Sequence, residues 1–295
     1  MASRSGAAIA VLIFCGLLVN LEAATSRVPR GLRLRSAAAV VQDERTGELL
    51  LAKQADVAMP IASITKLMTA MVVLDAGLDM EAVITIDNAD KDTLRNSTSR
   101  LPVGTNLTRR QALLLALMAS ENRAAHALGR TFPGGIPAFV TAMNQKARCL
   151  GLSGTKFVDP TGLRDENVSS AQDLTRLVEA ARRYPQISAF STQPECTVQR
   201  GRRQLHFVNT NALVRNPKWR IGLSKTGYIE EGGRCLVMQT ELGQRSVLIV
   251  LLNSQGKHTH FADAIRIRQW IEASETPKRA GKKPVHSRVV HAHHA

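Results

Sequence analysis

The order in which hydrophobic patterns succeed one another restricts the fold of this chain more than any other feature of its sequence. Residues 36–53 contain two apolar runs around a polar turn at 43–47, which is typical of a β-hairpin. Helical spacing of apolar residues then predicts helices at 63–75, 108–118, 122–129, 137–150 and 170–183. Strand patterns return at 196–208, 220–228, 233–242 and 246–253, and a last helix is predicted at 261–273.

A chain that runs from strands through helices and back to strands predicts an α/β fold of the α+β type. We expect one antiparallel sheet that combines the hairpin with the late strands and is flanked by the first and last helices. A mostly helical lobe, roughly residues 80–195, is inserted into this sheet lobe. The expected folding unit spans residues 36–273, and it contains no internal repeat.

The two ends of the chain differ from this central unit. A positively charged start, an apolar run at 7–19 and two small residues after it are the parts of a secretory signal peptide. We therefore expect residues 1–24 to be removed on export to the periplasm. Residues 274–295 contain five basic residues and two prolines, with Glu275 as the single acid, and this basic tail is predicted to be disordered.

The mature chain keeps the full net charge of +15, because the predicted signal carries one basic residue, Arg4, and one acidic residue, Glu22. A basic exported protein is expected to bind anionic surfaces such as membrane headgroups or wall polymers, and the tail would add to this weak association. The export signal and an aromatic content of only 4% argue against nucleic acid as a partner.

Three cysteines remain after removal of the signal: Cys149, Cys196 and Cys235. An odd number cannot all pair, so disulfides do not build this fold, and one bridge or three free thiols both stay open. No cysteine pair has zinc-ligand spacing. Four of the eight histidines lie in the tail, where no ordered second shell supports a metal ion. We therefore expect no metal site.

Ser63 and Lys66 form the first candidate catalytic pair. Roughly one S-x-x-K match is expected by chance in a chain of this length. The chain contains three, but only this one opens a strong helix, whereas Ser153 and Ser254 lie in glycine-containing turns. At i and i+3 the lysine lies beside the hydroxyl, and a shielded lysine can act as its base. The alternative is a capping serine with a solvated lysine.

Two further motifs favour the catalytic interpretation. Ser120 and Asn122 form an S-x-N motif at the break between two predicted helices. Lys225, Thr226 and Gly227 form a K-T-G motif on a predicted strand, where the glycine permits close approach of another backbone. Each motif occurs once, and the three in this order are the set of class A β-lactamases and penicillin-binding proteins.

Over residues 36–273 the sequence resembles the low-molecular-mass penicillin-binding proteins of the D-alanyl-D-alanine peptidase family, and most of all their endopeptidase subgroup (penicillin-binding protein 7). The resemblance rests on the three motifs and on the stretches SITKLMTAMVVLDA, LLLALMASENRAAHALG, FVDPTGL, LSKTGY and HTHFADAIR. It implies a β-lactamase/transpeptidase-like fold and a serine hydrolase that needs no cofactor. Its substrates would be peptidoglycan stem peptides, and β-lactam antibiotics would be covalent inhibitors.

The same resemblance implies catalytic roles. Ser63 would attack the D-alanyl carbonyl, Lys66 would be the base for acylation, and Ser120 would relay a proton to the leaving amine. The backbone N–H groups of Ser63 and Tyr228 would form the oxyanion hole.

Substrate binding is implied for the remaining motif residues. Asn122 would hold the substrate amide, and Lys225 and Thr226 would bind the substrate carboxylate. Gly227 belongs to the strand along which the substrate would align as an added strand. Lys225 would also help to keep Lys66 neutral by like-charge repulsion.

Four other functions compete with a D,D-endopeptidase that cleaves D-alanyl-meso-diaminopimelate cross-links. A D,D-carboxypeptidase uses the same motifs and stays open. A class A β-lactamase has an E-x-x-L-N stretch, whereas Glu166 is followed by NVSS, so this glutamate is expected to be a solvated loop residue. A Ser-His-Asp hydrolase lacks its G-x-S-x-G elbow here. A non-catalytic wall-binding protein would not need three intact motifs.

Overall fold

The structure, a computed structural model, describes residues 27–275. The predicted signal peptide and the tail beyond residue 275 lie outside the described residues. In chain order the secondary-structure elements are β1 (Ser36–Asp43), β2 (Leu49–Lys53), β3 (Met59–Pro60), α1 (Thr65–Asp75), β4 (Val83–Thr85), β5 (Asn106–Thr108), α2 (Arg109–Met118), α3 (Asn122–Arg130), α4 (Gly135–Cys149), β6 (Val168–Ser169), α5 (Ala171–Ala181), α6 (Pro185–Thr192), β7 (Glu195–Arg200), β8 (Arg203–Val208), β9 (Arg220–Ile229), β10 (Gly233–Leu242), β11 (Arg245–Ser254) and α7 (Thr259–Glu275).

A five-stranded antiparallel sheet of order β2-β1-β11-β10-β9 forms the centre of the fold. The N-terminal hairpin thus joins the last three strands, because β1 pairs with β11, where Val40 lies opposite Val250. The predicted antiparallel sheet is confirmed for the hairpin and for the strands predicted at 220–228, 233–242 and 246–253. Strand β9, which carries the K-T-G motif, is one edge of this sheet.

Strand β11 shows why this sheet must be covered on both faces. Successive side chains of a strand point to opposite faces. Leu248 and Val250 face the core that the sheet shares with α1 and the helical lobe. Val247 and Ile249 face the other way, into a second core formed with α7, where they pack with Ile267. The uninterrupted apolar run of this strand is therefore the pattern of a strand buried on both sides.

Helix α1 connects the sheet to the helical part of the molecule. All of its residues from Thr65 to Val73 are buried, and it contacts α2, α3, α4, α5 and α6. A helix buried on nearly every side carries any polar residue near its start into the interior. This placement determines the environment of Lys66.

One sequence prediction was wrong in this region, and one helix was missed. The segment 196–208 is not one strand of the main sheet, because β7 and β8 form a hairpin in a separate two-stranded sheet. The interval before it contains α6, which was not predicted. Helix α5 ends before Pro185, and Pro185 is the first residue of α6, where its missing N–H costs no intrahelical hydrogen bond.

Candidate active site

Ser63 lies in a 3-10 turn, Ala62–Ile64, that leads directly into α1. Ala62 has a φ of 48°, in the left-handed region. Such a conformation costs a non-glycine residue on the order of 1–3 kcal/mol. The half-buried Ser63 hydroxyl accepts a hydrogen bond from Lys66, and no side-chain hydrogen bond caps the turn or the helix. The alternative of a capping serine with a solvated lysine is therefore wrong.

Lys66 is fully buried, which is rare for lysine. Its Nζ lies 2.7 Å from Ser63 Oγ, 2.8 Å from Asn122 Oδ1 and 2.7 Å from the carbonyl oxygen of Thr161. A charged ammonium donates to all three acceptors, whereas a neutral amine has a lone pair that can accept the proton of Ser63. The neutral form thus has the geometry that a general base requires.

Burial lowers the pKa of Lys66 from 10.5 to about 7, because desolvation penalises the charged amine. The carboxylates of Asp159 and Glu121 oppose this shift by stabilising the charge. The resemblance implied that repulsion by Lys225 helps to keep Lys66 neutral, whereas burial is what lowers the pKa of Lys66. A substantial fraction of the amine is consequently neutral near pH 7.

Half-buried Ser120 and buried Lys225 form a second serine–lysine pair. Ser120 lies between α2 and α3 with a φ of 58°, and its Oγ accepts a hydrogen bond of 2.9 Å from Lys225 Nζ. Burial and repulsion by Lys66 hold the pKa of Lys225 well below its usual value. The two amines share one desolvated region, so charging one disfavours charging the other.

Asn122, the first residue of α3, links the two motifs that flank the cavity. Its Oδ1 accepts a hydrogen bond from Lys66, and its Nδ2 donates one of 3.0 Å to Ser97 Oγ. Because both ends of the amide have partners, the side chain is held in one orientation and positions the Lys66 amine beside Ser63.

Strand β9 passes close to the Ser63 turn, and Gly227 makes this approach possible. A Cβ at this position would lie 2.9 Å from the carbonyl oxygen of Ile61 and 3.1 Å from Ser63 N. Any larger residue would push the strand away from the Ser63 turn. The neighbouring Thr226 Oγ1 donates a hydrogen bond of 2.6 Å to Thr210 Oγ1.

The residues singled out by the sequence surround one cavity of about 430 Å³. Six of them line it: Ser63, Ser120, Asn122, Thr226, Gly227 and Tyr228. Lys66 and Lys225 lie beneath the cavity and contact it through their hydrogen bonds to the two serines. The structure therefore brings all eight residues together.

A loop at 159–167 supports Lys66 from below; its start belongs to the stretch FVDPTGL that contributed to the resemblance, but no role was predicted for it. Asp159 Oδ1 accepts hydrogen bonds of 2.5 and 2.8 Å from the N–H groups of Thr161 and Gly162. Gly162 has a φ of 80°, and a Cβ on it would lie 1.9 Å from the Ala62 carbonyl oxygen. The stretch DPTG has turn chemistry that could have revealed this loop. Glu166 is exposed in the same loop, as expected.

One wall of the cavity also went unpredicted. It is formed by Thr210, Arg234, Lys257, His258, His260 and Phe261. Burial, with repulsion by Arg234 and His258, lowers the pKa of His260 to about 4, so this imidazole is neutral at pH 7. Within residues 27–275 its Nδ1 has no hydrogen-bond partner. The stretch HTHFADAIR contributed to the resemblance, but no role followed from it.

Other features bear on possible cofactors and on the membrane. In the described part of the chain, no group of His, Cys, Asp and Glu residues is arranged to hold a metal ion. Among residues 27–275, no helix has the length and apolar character needed to cross a membrane.

Cys149, Cys196 and Cys235 are free thiols, which decides the alternative that the sequence left open.

The fold and the three motifs around one cavity define a penicillin-binding serine hydrolase, and comparisons with known proteins agree. The chain belongs to the D-alanyl-D-alanine carboxypeptidase family (peptidase family S11), whose model matches residues 23–256. It is accordingly a serine peptidase of the D-Ala-D-Ala type. The predicted family and enzyme class are confirmed.

Two curated relatives are similar over most of their length. The chain is 48% identical over 272 residues to a Pseudomonas aeruginosa protein named D-alanyl-D-alanine endopeptidase, covering 90% of this chain and 88% of the relative. It is 44% identical over 244 residues to an Escherichia coli protein of the same name, covering 82% and 79%. Both names agree with the predicted endopeptidase subgroup.

Solved structures share the fold. The crystal structure of a Streptomyces DD-transpeptidase superposes with a TM-score of 0.76 at 28% identity, covering 82% of this chain and 98% of that one. A Mycobacterium tuberculosis D-alanyl-D-alanine carboxypeptidase gives a TM-score of 0.74 at 27% identity, covering 87% and 96%. The predicted fold class is confirmed.

Proposed function

We propose that this enzyme is a D,D-endopeptidase that hydrolyses D-alanyl-meso-diaminopimelate cross-links of peptidoglycan through an acyl-enzyme on Ser63. The observation that carries the proposal is the buried Lys66 amine, with a pKa of about 7, 2.7 Å from the Ser63 hydroxyl at the cavity. The names of the two curated relatives support the choice of substrate.

In the acylation step, neutral Lys66 accepts the proton of Ser63 while Ser63 Oγ attacks the D-alanyl carbonyl. The carbonyl oxygen becomes an oxyanion that accepts hydrogen bonds from the backbone N–H groups of Ser63 and Tyr228. These groups belong to segments that Gly227 allows to approach closely, since a Cβ there would lie 3.1 Å from Ser63 N.

The leaving amine needs a proton before the C–N bond breaks. Ser120 Oγ–H donates it and recovers the proton that Lys66 took from Ser63, while Lys225, 2.9 Å away, holds Ser120 Oγ in place. Lys66 is therefore neutral again once the C–N bond has broken and the amine has left. Hydrolysis then uses Lys66 as base for a water molecule that attacks the ester on Ser63.

The substrate is held on both sides of the nucleophile. Asn122 contacts the substrate amide, while Lys225 and Thr226 bind the carboxylate next to the scissile bond. Strand β9 is an edge strand, so Gly227 and its neighbours offer backbone groups to which an extended peptide can add.

The deciding experiment gives the mature enzyme purified cross-linked dimers and, separately, pentapeptide monomers, and resolves the products by chromatography and mass. Conversion of dimers to monomers supports the proposal. Release of D-alanine from pentapeptides with intact dimers would make the enzyme a carboxypeptidase. The Ser63→Ala variant is the control, because it lacks the nucleophile and should be inactive on both substrates.

We propose further that β-lactams acylate Ser63 and that the resulting acyl-enzyme is hydrolysed slowly. The exposed position of Glu166 supports this, because its carboxylate does not line the cavity and so is not placed to activate water for rapid deacylation. The test is the lifetime of the complex with a fluorescent penicillin. Turnover within seconds would indicate a β-lactamase instead.

We also propose that residues 1–24 direct export to the periplasm and that the basic tail binds anionic surfaces weakly. A truncated variant that lacks the tail should end at Glu275, because Glu275 accepts a hydrogen bond from Gln244 N and forms an ion pair with Arg245. A chain ending there loses five basic residues beyond position 275. It should keep penicillin reactivity, while salt-sensitive binding to anionic vesicles falls. Unchanged vesicle binding would contradict a role for the tail.

A further inference from the structure

A second groove continues from the catalytic cavity and is not used by the steps above. We call it the outer groove; it measures about 350 Å³ and is lined by Tyr228, Glu230, Gly233, Arg234, Ser254, Gln255, Gly256 and Lys257. Tyr228, Arg234 and Lys257 line the catalytic cavity as well. The two spaces are therefore contiguous, and a ligand can extend from Ser63 past Tyr228 into the outer groove.

Arg234 is the most informative residue of this groove. In antiparallel register it lies opposite Tyr228, and its guanidinium carbon is 4.4 Å from the centre of the Tyr228 ring. Stacking on an aromatic face fixes the plane of a guanidinium. Among residues 27–275 its side chain donates no hydrogen bond and forms no ion pair, so its fork of N–H groups is available to a ligand.

The charge of the outer groove favours an anionic ligand. Arg234 and Lys257 are its cations, and Glu230 is the single acidic residue of its lining. Lys257 is exposed and likewise has no hydrogen-bond or ion-pair partner within the described chain. A planar guanidinium binds a carboxylate through two parallel hydrogen bonds, which an ammonium does not reproduce.

A cross-linked substrate has one group that a pentapeptide monomer lacks on the leaving side. When the scissile bond joins two stems, the leaving group is a whole second stem that ends in a free carboxylate. Released D-alanine has only the carboxylate beside the scissile bond, which Lys225 and Thr226 already bind. A second carboxylate farther along the leaving side therefore needs its own site.

We propose that the outer groove is the subsite for the second stem and that Arg234, stacked on Tyr228, binds the terminal carboxylate of that stem. This proposal rests on the endopeptidase function proposed above. It makes Arg234 a residue that distinguishes cross-links from free stem termini.

The test compares three substrates: a tetrapeptide-stem dimer, the same dimer with the terminal carboxylate of its second stem converted to an amide, and a pentapeptide monomer. For the wild-type enzyme, amidation should lower kcat/KM on the dimer by about tenfold or more, mainly through KM, as expected for a charge-assisted hydrogen bond. An equal kcat/KM on both dimers would overturn the proposal without any variant.

The variants locate the effect. Arg234→Gln should lose about as much on the natural dimer as amidation does and should be insensitive to amidation, because the two changes remove the same interaction. Arg234→Lys should fall between wild type and Arg234→Gln. Arg220→Gln, at the other end of β9 in an exposed pair with Glu241, is the matched control and should behave as wild type.

Two outcomes contradict the proposal in different ways. If Arg234→Gln loses equally on dimers and pentapeptides, Arg234 serves a step common to both, and the groove is not a second-stem subsite. If the wild-type enzyme cleaves no dimer, the endopeptidase function itself fails. Stoichiometric labelling by fluorescent penicillin verifies that each variant is folded.

Discussion

The titration of Lys66 should be visible in the rate of acylation. Burial moves the pKa of this amine from 10.5 to about 7, which at about 1.4 kcal/mol per unit is a penalty of about 5 kcal/mol on the charged form. At pH 7 about half of the molecules then have neutral Lys66, whereas an amine with the ordinary value would be neutral in about one molecule in 3,000.

These fractions fix the shape of the pH profile. The neutral fraction rises from about 9% at pH 6 to about 91% at pH 8, so the acylation rate should rise about tenfold over this interval and then level off. An unshifted lysine would give about a hundredfold rise over the same interval and no plateau before about pH 10. The two cases are therefore distinguishable.

The assay is stopped-flow acylation by a fluorescent penicillin between pH 5 and 10, with circular dichroism at each pH as the control for folding. A profile without a plateau below pH 9, or a rate independent of pH, would refute the assignment of Lys66 as a base made neutral by burial. The substitution Glu121→Gln tests the assignment independently. Because Glu121 stabilises the charged form of Lys66, this variant should have a pH profile of acylation whose midpoint lies at lower pH.

The same shift has a consequence for stability, whose sign follows from proton binding. Between pH 7 and 10.5 the unfolded chain binds a proton at Lys66 that the folded chain does not. The free energy of unfolding contributed by this group should therefore rise with pH across that window and be lowest below pH 7. Urea unfolding at pH 6.5 and 9 measures the difference between wild type and Lys66→Met.

Three further predictions concern single side chains. Gly227→Ala should slow acylation and cost about 1–3 kcal/mol of stability in thermal or urea unfolding, because its Cβ would lie 2.9 Å from a backbone oxygen. Gly154→Ala is the control, since its Cβ would lie 3.4 Å from its nearest neighbour. Equal effects of the two substitutions would contradict the packing argument. Lys66→Ala should abolish covalent labelling by penicillin in a gel assay, and undiminished labelling would remove this lysine from the mechanism. Iodoacetamide should label exposed Cys149 in the native protein. It should label Cys235 only after unfolding, because this thiol is buried and burial raises its pKa to about 11. Peptide mapping identifies the labelled cysteine.

Local patterns were sufficient to predict most of the fold. The S-x-N motif lies at a break between two helices and the K-T-G motif on a strand, as predicted, whereas Ser63 lies in a 3-10 turn just before its predicted helix. The missed helix α6 and the misassigned segment 196–208 have separate causes. A proline excludes the interior of a helix but not its first turn, and a strand pattern alone does not specify which sheet a strand joins.

The site was predictable where it follows from neighbouring residues in sequence, and not where tertiary packing creates it. Arg234 faces Tyr228 only because of the register between β9 and β10. Ala62 and Ser120 have left-handed backbone, which is unusual for these residue types and has no signature in the sequence. The degree of burial that neutralises Lys66 likewise depends on every helix packed around α1.

Strand β9 has one more consequence, which concerns colloidal behaviour rather than catalysis. It is an edge strand of ten residues, and a long free edge is a template for pairing with another molecule. Here the Ser63 turn and α6 contact this strand, so the turn that borders the cavity also limits how much of the edge is open to another protein molecule. Substitutions that separate the Ser63 turn from β9 should therefore lower solubility along with activity, and a ligand that occupies the cavity should suppress aggregation of such variants.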